Sequence, residues 1–174
     1  GRFPEKKAVR LDRGFFTSEP FALTNKTFTI EAWFKLNGPG ALTGNPGNVG
    51  GTLFSMGIGY WSGLRLTMSY PDRRLGFHFG CPSPINAVSV GTEPVSDRVW
   101  HHLAATWDGQ RMRVYLDGLL AGAGPYTGEF FPSGPDARFR IGYASYGFGS
   151  VVLDVDEVAV YAHALSALEV LRHA

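Results

Sequence analysis

The densest acidic run in the sequence is Asp154-Val155-Asp156-Glu157, and paired carboxylates are the groups that hydrolyse glycosidic bonds. A retaining glycosidase holds its acid and its nucleophile about 5–5.5 Å apart. Because side chains alternate along a strand, we expect Asp154 and Asp156 to share one face and Glu157 to point to the other. Asp154 and Asp156 are therefore the pair to test for catalysis.

Other nucleophile or metal patterns are weak. His101 and His102 are adjacent on a strand-like run, so they face opposite sides and cannot chelate one ion together. We expect His102 to be a core or sheet-bonding histidine. Cys81 is the single cysteine, which excludes an internal disulfide, and it lies in a Pro-rich stretch without a catalytic motif.

Aromatic residues in Gly-rich stretches are the candidates for ligand binding. Sugar-binding modules stack flat rings on pyranoses and place polar groups against hydroxyls. Two such clusters occur, and if their loops meet at one end of the fold they form a platform with Arg73 or Asp72 nearby. The alternative is that these aromatics pack over the sheet edges as satellite core. The predicted ligand-binding residues are Tyr60, Trp61, Arg73, Tyr143, Tyr146 and Phe148.

The elements that must position these groups are strands. The sequence has 23 Gly and 11 Pro, with 14% aromatic residues, a composition typical of an all-β protein with short strands. In the run 27–36, Phe28, Ile30, Ala32 and Phe34 alternate with polar residues and Trp33. Strand-like runs occur at 8–11, 27–36, 52–56, 63–68, 74–79, 100–107, 111–116, 139–142 and 151–161.

The connections between these runs predict antiparallel pairing. Asp108-Gly109 lies between two alternating runs and indicates a hairpin. Only the end of the chain looks helical, with Ser166 as N-cap and Glu169 completing a capping box. The predicted fold is an all-β, two-sheet antiparallel sandwich with a short C-terminal helical turn, forming one domain over residues 1–174.

Charge and length narrow the function classes. The 174 residues carry 16 basic and 15 acidic side chains without a charged run, so nucleic acid and anionic membrane surfaces are poor partners. No segment approaches the roughly 18 apolar residues that span a membrane. The chain opens with Gly1, and we expect it to be part of a longer multidomain protein.

Three ordered segments resemble a known family. They are Phe28–Trp33, Trp100–Gly118 with its two Asp-Gly pairs, and Asp156–Glu169. Together they resemble laminin G-like and pentraxin-like jelly-roll domains of the concanavalin A-like superfamily, over about Ala8 to Arg172. The resemblance implies two curved antiparallel sheets in a module often appended to secreted bacterial enzymes, with relatives that bind glycans or proteins, frequently with calcium.

The resemblance also bears on catalysis. Glycosidases of this superfamily carry a Glu-x-Asp-x-x-Glu motif, which is absent from 154–157, so we predict no catalytic residues. The predicted function is a non-catalytic, lectin-like module that binds a polysaccharide or other glycan outside the cell or on its surface, attached to a secreted bacterial enzyme or surface protein. The alternatives are a protein-binding adhesion module and, third, a glycosidase.

A structural calcium ion is the predicted cofactor. Strand alternation would place Asp156 on the face of Val158 and Val160, an unusual position for a charge unless it is paired. In similar jelly rolls an Asp here joins a cation held partly by the first strand, which implies Asp156 and Asp12 as ligands. The alternatives are that Asp156 caps a turn or meets an arginine.

Overall fold

A computed structural model describes residues 7–12, 14–20, 23, 27–39, 50–56, 63–69, 72–80, 86–89, 94–127, 137–142 and 151–174. These residues form antiparallel strands in two six-stranded sheets, followed by one short helix. The first sheet has the order β1 (Val9–Leu11), β12 (Val151–Tyr161), β3 (Phe28–Pro39), β8 (Trp100–Trp107), β9 (Arg111–Leu116) and β10 (Leu119–Pro125). The second has the order β2 (Phe16–Thr17), β11 (Phe139–Ile141), β4 (Gly50–Met56), β5 (Gly63–Ser69), β6 (Leu75–Gly80) and β7 (Asn86–Ser89).

The core lies between the sheets and confirms the predicted sandwich. The alternating apolar residues Phe28, Ile30, Ala32 and Phe34 of β3 are all buried in it. The Phe28 ring meets rings from the other sheet edge-on, at 5.8 Å from Phe79. Such large rings supply much of the apolar area that holds two sheets together.

Short-range hydrogen bonds form the hairpin between β8 and β9 and the start of the C-terminal helix. The Asp108 carboxylate accepts the N–H groups of Gln110 and Arg111 at 2.9 and 2.7 Å, closing the predicted hairpin between β8 and β9. At the chain end, helix α1 (Ala167–His173) begins with the predicted capping box between Ser166 and Glu169. Leu165 and Val170 pack with Ala104 and Tyr115, so α1 covers part of the outer face of the first sheet.

The expectation that Asp156 shares a face of β12 with Val160 is wrong. Asp156 pairs with Trp33 and Ala159 with Glu31, so three steps on β12 oppose two on β3. Glu157 has a φ of 50° at this bulge. The extra residue reverses the alternation, and Asp156 therefore lies on the face opposite Val160, which packs against the core.

Candidate functional site

The outer face of the second sheet, away from the core, carries polar side chains that are largely shielded from water. On β5, Leu64, Leu66 and Met68 point into the core, so Arg65 and Thr67 point outward. Arg65 is 6% exposed and Thr67 9%. Burying polar groups is costly unless they find hydrogen-bond partners, which makes this face unusual for an outer surface.

The register of the strands aligns these side chains into a row. Arg140 of β11 pairs with Ser55 of β4, Ser55 with Arg65 of β5, and Arg65 with His78 of β6. Neighbouring strands lie about 4.8 Å apart, so the row spans roughly 14 Å across four strands. We call Arg140, Ser55, Arg65 and His78 the polar row.

His78 is held in place by its neighbours. Its Nε2 lies 2.9 Å from the Thr67 hydroxyl, and Gly76 leaves the space it occupies, because a Cβ there would be 2.5 Å from that Nε2. Burial, and then the positive charge of Arg65, lower the pKa of His78 to about 4. The imidazole is therefore neutral at pH 7 and can both donate and accept a hydrogen bond.

Two hydroxyls near the row lack partners within the described part of the chain. Thr52 Oγ1 and Ser55 Oγ are buried without a hydrogen bond. An unsatisfied buried hydroxyl costs about 1–3 kcal/mol, so each calls for a polar group that meets it. The described residues therefore leave two hydroxyls on this face without a hydrogen-bond partner.

Five of the predicted ligand-binding residues lie outside the described residues. Tyr60 and Trp61 belong to the segment 57–62, and Tyr143, Tyr146 and Phe148 to the segment 143–150. The strands next to them are described: 57–62 joins β4 to β5, and 143–150 follows β11. Both segments therefore connect to strands that carry the polar row, and their role in binding stays a prediction.

Arg73 is described and lies between β5 and β6. Its Nη1 is 3.4 Å from Asp97 Oδ2, and both side chains are at least a third exposed. The six residue steps of β5 span about 20 Å, so Arg73 lies at the opposite end of that strand from Gly63, where the segment with Trp61 joins. The described residues thus do not place Arg73 beside the base of that loop.

The outer face of the first sheet carries a second polar group, centred on Glu31. Glu31 Oε1 accepts the Tyr161 hydroxyl at 2.7 Å and His173 Nδ1 at 3.0 Å. Burial opposes the charge, but hydrogen bonds from His102, Tyr161 and His173 outweigh it and lower the pKa of Glu31 to about 2. The same bond and burial raise the pKa of Tyr161 to about 12. Glu31 is thus a charged acceptor that ties the end of α1 to the sheet.

Contacts with Asp117 hold the two adjacent histidines, His101 and His102, in the first sheet. The Asp117 carboxylate accepts the backbone N–H of His102 at 2.9 Å and contacts His101 Nδ1 at 2.7 Å. His102 is 1% exposed, in agreement with the predicted buried histidine. Glu31 was not among the predicted site residues, because its partners Tyr161 and His173 lie 130 and 142 positions away.

The carboxylates of Asp154 and Asp156 both contact neighbouring groups of the chain. Asp154 and Asp156 share the outer face of β12, as predicted, opposite Lys35 and Trp33. Asp154 Oδ2 is 2.8 Å from Lys35 Nζ. Asp156 Oδ1 accepts the N–H of the next residue, Glu157, at 3.0 Å within β12.

The predicted calcium ligands do not converge. Leu11, next to Asp12, pairs with Leu153, and Asp156 lies three residues farther along β12. At about 3.3 Å per residue, more than 10 Å of strand separates Asp12 from Asp156. Among the described residues there is no group of three His, Cys, Asp or Glu side chains that could hold a metal. Calcium binding stays a prediction in which Asp12 and Asp156 do not share one ion.

A comparison with models of protein families identifies the family of this chain. A laminin G model of the concanavalin A-like lectin/glucanases superfamily matches residues 12–171. The chain belongs to this superfamily. A comparison with curated proteins found no match. None of the described helices is long and apolar enough to cross a membrane.

Solved structures share the same concanavalin A-like fold. Domain 4 of a GH43 extracellular arabinanase from Geobacillus stearothermophilus, in complex with arabinotriose, has a TM-score of 0.75 and 19% identity, covering 99% of this chain and 78% of that chain. A SAP-like pentraxin from Limulus polyphemus has a TM-score of 0.62 and 17% identity, covering 91% and 81%. The binding domain of botulinum neurotoxin DC with SialylT has a TM-score of 0.62 and 13% identity, covering 87% and 35%. At these identities the likeness establishes the fold alone.

Proposed function

We propose that this chain is a non-catalytic carbohydrate-binding module that binds its glycan on the outer face of the second sheet. The polar row carries this proposal. It offers two guanidinium groups, a neutral imidazole and a hydroxyl on a preformed sheet, the groups that hydrogen-bond sugar hydroxyls. The segments 57–62 and 143–150 connect to the same strands and would add the aromatic rings on which sugars stack.

The two outer faces differ in a way that favours the second sheet. On the first sheet, Val170 of α1 and the preceding Leu165 pack over Ala104 and Tyr115, so the chain covers part of that face itself. On the second sheet, Ser55 and Thr52 still lack hydrogen-bond partners among the described residues. A hydroxylated ligand that reaches them would satisfy such groups, whereas an apolar protein surface would not.

A catalytic role has little support in the described carboxylates. Asp154 is bonded to Lys35, and a general acid needs a raised pKa, whereas that of Glu31 is lowered to about 2. The GH43 arabinanase neighbour is matched through a domain bound to arabinotriose, which supports a binding role in an extracellular, multidomain protein. We therefore extend the proposal to a secreted or surface-attached parent protein.

The test is a binding screen on the intact chain. Affinity electrophoresis in gels with soluble polysaccharides, with arabinan and sialylated glycans included, should show retardation by at least one of them. Trp61→Ala should weaken binding at least tenfold, because a lost stacking ring and its contacts are worth more than 1.4 kcal/mol. Trp100→Ala is the matched control on the first sheet, where Trp100 lies beside Lys35, and should leave binding within twofold.

Two results would contradict this proposal. Migration unchanged in every polysaccharide, and no binding of oligosaccharides at millimolar concentration by calorimetry, would contradict glycan binding. Turnover of any glycan in the same samples would contradict the non-catalytic role.

A further inference from the structure

Two arginines lie side by side at the β11 end of the polar row. Arg138 and Arg140 flank Phe139, which is buried and stacks on Phe54 at 5.8 Å between ring centroids. Because side chains alternate along extended backbone, both arginines point to the outer face of the second sheet, roughly 7 Å apart. The Arg138 side chain is 37% exposed, and Arg140 is half-buried. This end of the row is therefore more open to solvent than Arg65.

The neighbouring edge strand, β2, adds an aromatic ring beside these arginines. Thr17 pairs with Arg140 and is exposed, so it lies on the same outer face. Phe15 is two positions earlier, which places it on that side by alternation, and it is 51% exposed. Phe16 pairs instead with Ile141, which packs against the core. We call Phe15, Thr17, Arg138 and Arg140 the edge group.

The two sheets carry different charge. The acidic residues of the first sheet are on β3 and β12, namely Glu31, Asp154, Asp156 and Glu157. Within the described chain, the strands of the second sheet contain no Asp or Glu, and they contain Arg65 and Arg140. The outer face of the second sheet thus presents positive charge, to which Arg138 adds at the edge.

The carboxylate that contacts Arg138 holds it only weakly. Glu19 Oε2 is 3.9 Å from Arg138 Nη1, and the Glu19 side chain is 97% exposed. An exposed pair at this distance contributes little, because water screens it and both side chains stay mobile. A ligand carboxylate can therefore replace Glu19 at small cost.

We propose that the edge group selects glycans that carry carboxylates, so that the ligand of the polar row is a polysaccharide containing uronic acids. This inference rests on the proposed glycan binding and names its substrate class. A guanidinium donates two parallel hydrogen bonds to a carboxylate, a geometry that a neutral hydroxyl does not match. Phe15 packs on the apolar face of the same sugar ring.

Matched pairs of ligands test the selection on the intact natural chain. Calorimetry compares oligogalacturonate, oligomannuronate and a glucuronate-containing oligosaccharide, each with its own methyl ester, which removes the charge and keeps the sugar. At least one acid should bind tenfold or more tightly than its ester. Raising the salt from about 0.05 to 0.5 M should reduce this preference several-fold, because salt screens exposed charges.

Single substitutions assign the preference to the edge group. Arg138→Gln and Arg140→Gln should each remove most of the difference between acid and ester. Arg111→Gln, at an exposed arginine of the first sheet, is the matched control and should leave the difference within twofold. Phe15→Ser should weaken acid and ester alike, whereas Phe16→Ser should change neither more than twofold.

The outcomes separate this inference from the proposed function. Equal affinity for every acid and its ester, or a preference that Arg138→Gln and Arg140→Gln both leave intact, would overturn the acidic substrate class while glycan binding stands. Binding of no glycan, charged or neutral, at millimolar concentration would contradict glycan binding itself.

Discussion

His173 and Glu31 are 142 positions apart, yet His173 Nδ1 lies 3.0 Å from Glu31 Oε1. This contact joins the last residue of α1 to Glu31 near the start of β3. Tyr161 donates to the same oxygen. The end of the chain is thus fastened to the outer face of the first sheet by a buried carboxylate as well as by apolar packing.

Removing the imidazole should loosen this attachment. His173→Ala should lower the free energy of unfolding by about 1–2 kcal/mol, because Glu31 loses a charge-assisted partner. Arg172→Ala, the exposed neighbour in the same turn, is the matched control and should change stability by less than half as much. Urea unfolding measures both, and equal effects would show that the contact contributes nothing specific.

Acid should weaken the same network. The pKa of Glu31 falls from 4.5 to about 2 on folding, so between these pH values the unfolded chain binds a proton that the folded chain does not. Stability from Glu31 is therefore complete above about pH 4.5 and is lost as the pH falls toward 2. We expect a loss of about 1–2 kcal/mol, less than the shift alone implies because water reaches the cavity beside Glu31.

The control for this pH dependence is Glu31→Gln, which cannot titrate. The difference in unfolding free energy between the natural chain and this variant should shrink between pH 5 and pH 2. A difference that stays constant over this range would contradict the depressed pKa.

The His78 ring should keep its position only while residue 76 has no side chain. Gly76→Ala brings a Cβ to 2.5 Å from His78 Nε2, so the ring must move and its bond to Thr67 must break. We expect a destabilisation of about 1 kcal/mol. In a His78→Ala background the same substitution should cost less, because only the 3.0 Å approach of the new Cβ to Thr67 Oγ1 remains, and thermal unfolding of the four proteins measures the coupling. Additive effects would contradict it.

Some elements of the fold could be predicted from the sequence and others could not. The alternation from Phe28 to Phe34 and the bounds of β8 were predicted correctly, because a sheet with one buried face repeats every two residues. The capping box at Ser166 was also correct, since its hydrogen bonds join residues three apart. Strand β10 was missed, because Leu119–Pro125 contains Gly and Pro, which predict turns rather than strands.

The site residues were harder to predict. The bulge at Glu157 changes which later residues of β12 face the core without changing the alternation in the sequence, so Asp156 was wrongly expected to share a face with Val160. The polar row depends on the pairing of four strands, and Ser55 and His78 share no local motif. The Glu31 contacts depend on residues from the end of the chain, which no periodicity connects to β3.

Calcium binding at Asp156 gives a further expectation from the sequence. Calcium that binds only the folded chain raises the melting temperature. The natural chain should therefore melt higher with calcium than with a chelator, and Asp156→Asn should abolish the difference. Equal melting temperatures in calcium and chelator would remove Asp156 as a ligand.

The proposed glycan site is the outer face of the second sheet. Amide chemical-shift mapping with the best oligosaccharide from the screen tests it most directly. We expect shifts at Ser55, Arg65, Thr67 and His78, with the signals of Glu31 and His102 unmoved. Shifts concentrated on β3, β8 and β12, with β4 to β6 unchanged at saturation, would contradict it.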